Sequence, residues 1–221
     1  MRRGFSGVRR CRVFCREVLQ IMKVVVGLGN PGKKYEGTRH NVGFDLLAEL
    51  NRRWKVPRPR EKFEGLLAEV AVGAERVLLL APQTFMNLSG QSVRQVRDFY
   101  HLQPADFLVV CDDMNLPVGK LRIRAGGSSG GQKGLQNIIQ HLGTEEFPRL
   151  RIGVGRPTGD RNAADYVLDR FHKSELSAVD QSIVQGAACC ESWLAEGVAA
   201  AMNRFNAEPK GSPPPADRPG S

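Results

Sequence analysis

The sequence predicts a single α/β domain with a mixed central β-sheet flanked by helices. Three observations carry this expectation. Short apolar runs of strand length alternate with stretches whose apolar residues recur at helical spacing. The composition, 41% hydrophobic and 25% charged over 221 residues, is that of an ordinary globular chain able to build one core. It excludes collagen-like, disulfide-scaffold and wholly disordered classes. The strongest apolar run, Val77 to Ala81, falls far short of the roughly 18–20 residues that a bilayer span requires, so no membrane association is expected.

The elements follow in order. Lys23–Leu28 reads as a short buried strand. The next stretch, 42–54, is helical, with Val42, Leu46, Leu47 and Leu50 on one face. Residues 63–72 and 76–80 form a pair of strands. The segment 89–100 reads as a helix with Ser89 as its cap. Phe107–Cys111 is a buried strand that runs into Asp112-Asp113. From 120 to 124 the pattern alternates strictly: Lys120, Arg122 and Arg124 share one face, with Leu121 and Ile123 between them. A helix at 134–142, a strand at 150–154 and one or two helices over 173–202 complete the domain.

The two ends read differently. Residues 1–21 hold six Arg and one acid, Glu17, without the apolar core of a secretory signal; they read as an appendage, either a targeting segment like a transit peptide or a stretch upstream of a true start at Met22, the natural beginning of the domain. Residues 207–221 carry Pro209, Pro213, Pro214, Pro215 and Pro219 among small residues and should form a flexible tail. The folded unit is expected at 22–206. The formal net charge is +9, but beyond residue 21 the 26 basic and 22 acidic side chains leave only +4. That permits a polyanionic partner without arguing for one. Five cysteines (Cys11, Cys15, Cys111, Cys189 and Cys190) show no paired spacing, which fits a reducing, cytoplasmic setting. The four His are scattered, and neither CxxC nor HExxH occurs, so no metal site is expected.

Gly27-Leu28-Gly29-Asn30-Pro31-Gly32 matches the dinucleotide pattern GxGxxG after a strand, but its context is wrong. A dinucleotide turn opens directly into an apolar-faced helix. Here the polar stretch from Lys33 to Arg39 follows, with Gly37 inside it. Glycines serving a tight turn are the better account.

Four segments carry chemistry instead. They are the Gly27–Gly32 turn with Tyr35 and Thr38-Arg39-His40-Asn41-Val42-Gly43-Phe44; Pro82-Gln83-Thr84-Phe85-Met86-Asn87-Leu88-Ser89-Gly90; Asp112-Asp113-Met114-Asn115-Leu116-Pro117; and the Gly-rich run 126–135. Each sets a few polar side chains at an element boundary, where α/β sheets bind ligands. His40 precedes a helix, and Asp112, ending a buried strand, is the best carboxylate to fix its tautomer. A His–Asp pair without an evident Ser or Cys nucleophile points to an activated water. Asp113 faces the other way as a solvated charge. Asn30 and Asn87 offer amides that either hold a carbonyl or cap their own turns.

Together these segments closely resemble the bacterial-type peptidyl-tRNA hydrolase family, from Met22 to about Asn206, including Arg149-Leu150-Arg151-Ile152-Gly153-Val154-Gly155-Arg156-Pro157. The resemblance implies a monomer with a mixed sheet and no cofactor. It further implies hydrolysis of the ester joining a peptide to tRNA, with contacts to the acceptor stem and CCA end. It makes His40 the base and Asp112 its stabiliser. It gives Asn30 to the peptide, and sets Tyr35, Phe85, Met86 and Asn87 around the acceptor end. Arg124 and Arg151 would grip the 5′ phosphate. Where the family commonly has His-Asn, this chain has Gln132-Lys133. Lys133 then either contacts substrate as a cation or turns to solvent while Gln132 partly supplies the amide. A non-catalytic RNA-binding relative of the same fold is the competing class; the presence of His40, Asp112, Asn30 and Asn87 favours the enzyme. An oxidoreductase is disfavoured by the context of the glycines.

Overall fold

The structure, a computed structural model, describes residues 22–73, 75–157, 159 and 162–207. The Arg-rich appendage at 1–21 and residues 208–221 of the Pro-rich tail lie outside them. Seven strands form one sheet: β1 (Met22–Gly27), β2 (Arg60–Lys62), β3 (Gly65–Val72), β4 (Glu75–Pro82), β5 (Phe107–Asp113), β6 (Leu121–Arg124) and β7 (Arg149–Gly153). Their spatial order is β2-β3-β4-β1-β5-β7-β6. The sheet is mixed, as the alternating pattern indicates. β1 pairs in parallel with β4 and β5, and β5 with β7, while β2-β3, β3-β4 and β6-β7 are antiparallel.

The central strands are buried on both faces, which is why their sequences read as continuous apolar runs. On one face, α1 (Val42–Trp54) and α5 (Leu176–Phe205) bury Leu46, Leu50, Ala187 and Trp193 against Val25, Val110 and Leu150. On the other, α2 (Ser89–Tyr100) and α3 (Lys133–Leu142) bury Val93, Val96, Leu135 and Ile138 against Val24, Val26 and Val109. Each buried Val, Leu or Ile among them contributes about 1.5–3 kcal/mol relative to exposure.

Some expectations are corrected. Ser89 does not cap α2: it is the first helical residue, and its hydroxyl donates to the Met86 carbonyl at 2.9 Å. Lys120 falls just before β6, because its backbone N–H is spent on the Pro117 carbonyl in a turn. The short elements β2 and α4 (Ala163–Val167) were not anticipated. The last helix begins at Leu176 and is broken at Gly197, where φ is 84°, a conformation that favours glycine. Beyond the break the chain reaches the outer edge of β6. There the Asn206 amide accepts from the Ile123 N–H at 2.9 Å and donates to the Ile123 carbonyl at 2.8 Å.

Candidate active site

The parallel strands β1 and β5 end side by side, and the candidate residues gather beyond those ends. Asp112, the penultimate residue of β5, is only 3% exposed. His40 lies on a 3-10 turn, Arg39–Asn41, that leads into α1. Its Nδ1 is 2.9 Å from Asp112 Oδ2. An ionised carboxylate only accepts, so this contact calls for an Nδ1–H donor, and in the neutral ring that leaves Nε2 as the acceptor. The second carboxylate oxygen, Oδ1, accepts from Gln132 Nε2 at 3.0 Å.

The residues flanking His40 fix its turn. Arg39 is fully buried; its guanidinium donates to the Val154 carbonyl at 3.1 Å and to both Glu175 oxygens at 2.7 and 3.2 Å. It also lies over the rings of Tyr166 and Phe171. Buried charge is tolerable only when paired in this way. On the other side, the Asn41 side chain accepts from the Asn30 N–H at 2.9 Å and donates to the Asn30 carbonyl at 3.0 Å. Asn30 Oδ1 in turn accepts from the Met86 N–H at 2.8 Å, which fixes the orientation of its amide.

A cleft of about 650 Å3 opens over this network, lined by Asn30, His40, Phe85, Met86, Asn87 and Asp112, and by Gln132, Lys133 and Arg151. Phe85 is 54% exposed at the rim, and Met86 is buried beneath it. Lys133 is the exposed first residue of α3. Tyr35 is not among the lining residues; it sits on the 3-10 turn Lys33–Tyr35 with the Lys34 ammonium over its ring. Arg124 also lies away from the cleft, exposed on β6. Cys111 precedes Asp112 but is no nucleophile in this form: burial, and then the Asp112 charge, push its thiol far above the ordinary range.

The basic strand extends further than its own sequence indicates. Arg122 pairs with Arg151 and Arg124 with Arg149 across β6 and β7. Cross-strand partners share a face, so four guanidinium groups line one side of the sheet edge. The two on β6 are exposed. The two on β7 are buried and tie down the Gly-rich loop: Arg149 donates to the Gly127 and Ser128 carbonyls, and Arg151 to those of Ser128, at 2.8 Å, and Ser129. Burial and the neighbouring Arg151 lower the pKa of Arg149. Asp113 is not solvated. It is buried, and accepts from Arg151 at 3.0 Å and from the Asn115 N–H at 2.8 Å. The strand alternation had its direction right, but the cation waiting on β7 is a tertiary fact.

Three contributors went unread in the sequence: the Asn41 clamp, the Gln132–Asp112 bond and the wall formed by α4. Asn162 with Asp165 three residues on is a helix-start signal that marks α4 in hindsight; the Asn162 side chain accepts from the Ala164 N–H. No group of three or more His, Cys, Asp or Glu among the described residues is arranged to hold a metal ion, and no helix among them is long and apolar enough to cross a membrane.

The chain and its fold are similar to those of known proteins. The family profile described as peptidyl-tRNA hydrolase matches residues 24–213. The chain is 53% identical over 186 residues to a peptidyl-tRNA hydrolase of Rhodopirellula baltica, covering 84% of this chain and 98% of that protein. It is 48% identical over 185 residues to one of Bacillus anthracis, covering 84% and 100%. Among solved structures it is similar to peptidyl-tRNA hydrolase from Acinetobacter baumannii, with a TM-score of 0.80 and 34% identity over 85% of this chain and 96% of that one.

Proposed function

The chain belongs to the peptidyl-tRNA hydrolase family, and from that premise we propose that it cleaves the ester of peptidyl-tRNA by water attack, with His40 as general base and Asp112 orienting it. The observation that carries this is the 2.9 Å contact between His40 Nδ1 and Asp112 Oδ2 at the floor of the cleft. With Nδ1 committed to the carboxylate, Nε2 takes a proton from water as the oxygen attacks the ester carbonyl. The developing imidazolium is stabilised by Asp112. Asn30, its Oδ1 occupied by the Met86 N–H, presents its NH2 as the donor for a carbonyl of the peptide. Asn87 and Phe85 receive the acceptor end. An activated ester needs no covalent nucleophile: a placed base supplies about 10²–10⁴-fold, and positioning with amide donors supplies the remainder. The protein acts as a cytoplasmic monomer. The test is release of labelled peptide from N-blocked aminoacyl-tRNA; a protein that binds this substrate without releasing peptide would be an RNA-binding relative instead.

Phosphate contacts belong to the basic sheet edge. Arg124, exposed, supplies charge to the 5′ phosphate at little structural cost, whereas Arg151 also holds Asp113 and the Gly-rich loop. Arg124→Ala is therefore expected to weaken only full tRNA substrates and to flatten the salt dependence of kcat/KM. Arg151→Ala should in addition lower the unfolding midpoint and slow short substrates that lack the 5′ phosphate, because it leaves Asp113 buried without its cation. Equal losses on both substrates for Arg124→Ala would remove it from phosphate binding.

Lys133, at the cleft wall and the first turn of α3, contacts the substrate as a cation. Lys133→Asn should keep kcat while changing KM and its salt dependence, and Lys133→Ala should mainly raise KM. Wild-type kcat/KM across salt in both variants would make Lys133 a bystander.

A further inference from the structure

We propose that Gln132 is a positioning residue for the reaction: one end of its amide caps α3, and the other holds Asp112 in the orientation that His40 meets. This rests on the His40–Asp112 reading above.

The amide has one allowed orientation. Gln132 occupies the N-cap position of α3, and its Oε1 accepts from the Leu135 N–H at 2.7 Å. The remaining end must then be the NH2 group, and it lies 3.0 Å from Asp112 Oδ1 and 3.2 Å from Met86 Sδ. Rotating the amide by half a turn would set NH2 against N–H and oxygen against carboxylate, losing both bonds at once. Gln132 is itself buried at 8% exposure, so water is a poor substitute for either partner.

The choice of residue is informative because glutamine is not a favoured N-cap. Ser, Thr, Asp and Asn cap helices better. All are shorter, and a side chain that ends one or two atoms sooner cannot both cap α3 and reach Asp112. Space for the longer side chain comes from Gly134, where a Cβ would lie 3.0 Å from Gln132 Oε1 and 2.6 Å from Met86 Sδ. Asp112 thus receives its two oxygens' partners from opposite faces of the sheet: His40 from the α1 side and Gln132 from the α3 side. A carboxylate held at both oxygens cannot swing, so the imidazole it orients is held as well. The amide also has no proton to gain or lose in the working range, so this donor is constant with pH.

Two variants separate positioning from capping. Gln132→Ser retains a good N-cap but leaves Asp112 Oδ1 without its donor. The lost donor should lower its unfolding midpoint by a few degrees, and kcat, read well below that midpoint, should fall roughly 10–100-fold, the worth of a hydrogen bond to a charged group, with KM nearly unchanged. Gln132→Glu keeps length and the bond to Leu135 but sets a carboxylate oxygen against Asp112. It should lose more than Gln132→Ser at neutral pH, and its rate relative to wild type should climb as pH is lowered, when a proton shared by the two carboxyls restores the donor. The imidazole nitrogen shifts of His40 should move in both variants. His40→Ala is measured alongside. If it stays active, the dyad reading itself fails. If it is inactive while both Gln132 variants retain wild-type kcat and pH dependence, the dyad stands and Gln132 is only a cap.

Discussion

Replacing His40 by Ala is expected to lower the rate of peptide release by about 10²–10⁴-fold, with folding and tRNA binding retained. Asp112→Asn should lose nearly as much, for a reason specific to this site. Gln132 offers an NH2 to Oδ1 and therefore requires an acceptor there. The new asparagine must place its carbonyl oxygen at that position and its NH2 toward His40 Nδ1. Nδ1 then becomes the acceptor, Nε2 carries the proton, and the ring can no longer take one from water. Side-chain volume is unchanged, so the fold survives. Single-turnover release of peptide from N-blocked aminoacyl-tRNA reads the chemical step directly. A near-wild-type rate in either variant would end the water-activation mechanism.

The second large effect is structural and comes from a methyl group. A Cβ on Gly43 would lie 2.4 Å from the Leu28 nitrogen, 2.5 Å from the Leu28 oxygen and 2.7 Å from the Val110 oxygen. One on Gly27 would meet the Gly43 carbonyl at 2.3 Å. These are backbone atoms, so no rotamer change relieves them. The first turn of α1 lies directly against the ends of β1 and β5, with glycine on both sides of the contact. Gly43→Ala must push α1 away at a cost of about 3 kcal/mol, the upper part of the usual overpacking range. For a domain of this size that lowers the unfolding midpoint by roughly 6–12 °C. His40 sits three residues before Gly43 and moves with the helix. A displacement on the order of 1 Å costs about 100-fold in rate. Thermal unfolding and kcat at a temperature where the variant is folded check the two effects separately. Full activity in a destabilised variant would show that the helix contact does not set the position of His40.

That contact also explains what the sequence alone left as a generic turn. Gly27 and Gly29 answer to close neighbours, Gly43 and the Phe44 ring, and only Gly32, with φ of 104°, is there for its backbone angle. The pairing of His40 with Asp112 was legible because a carboxylate at the end of a buried apolar run and a histidine before a helix both project beyond the carboxyl edge of the sheet. The Gly-rich loop was legible as a site but not as a structure. Its anchors, Arg149 and Arg151, lie some twenty residues further on, and their hold on the loop is not visible until β7 is placed between β5 and β6. Gln132 escaped for a related reason: its two partners, Leu135 and Asp112, matter only once α3 stands beside the end of β5. Periodicity reports which face a residue occupies. It does not report what waits there.

The amide of Asn206 on the outer edge of β6 has a consequence in time. The edge belongs to Ile123, and the group that covers it lies 83 residues later in the chain. At the usual 5–20 residues per second, a ribosome needs roughly 4–17 s to make that interval. Throughout it, β6 presents an open N–H and C=O to any other strand it meets. A protein that serves translation is thus exposed during its own synthesis. The closing stitch is made by the residue that follows its last helix, so the Ile123 N–H and C=O gain these partners only after that residue has emerged.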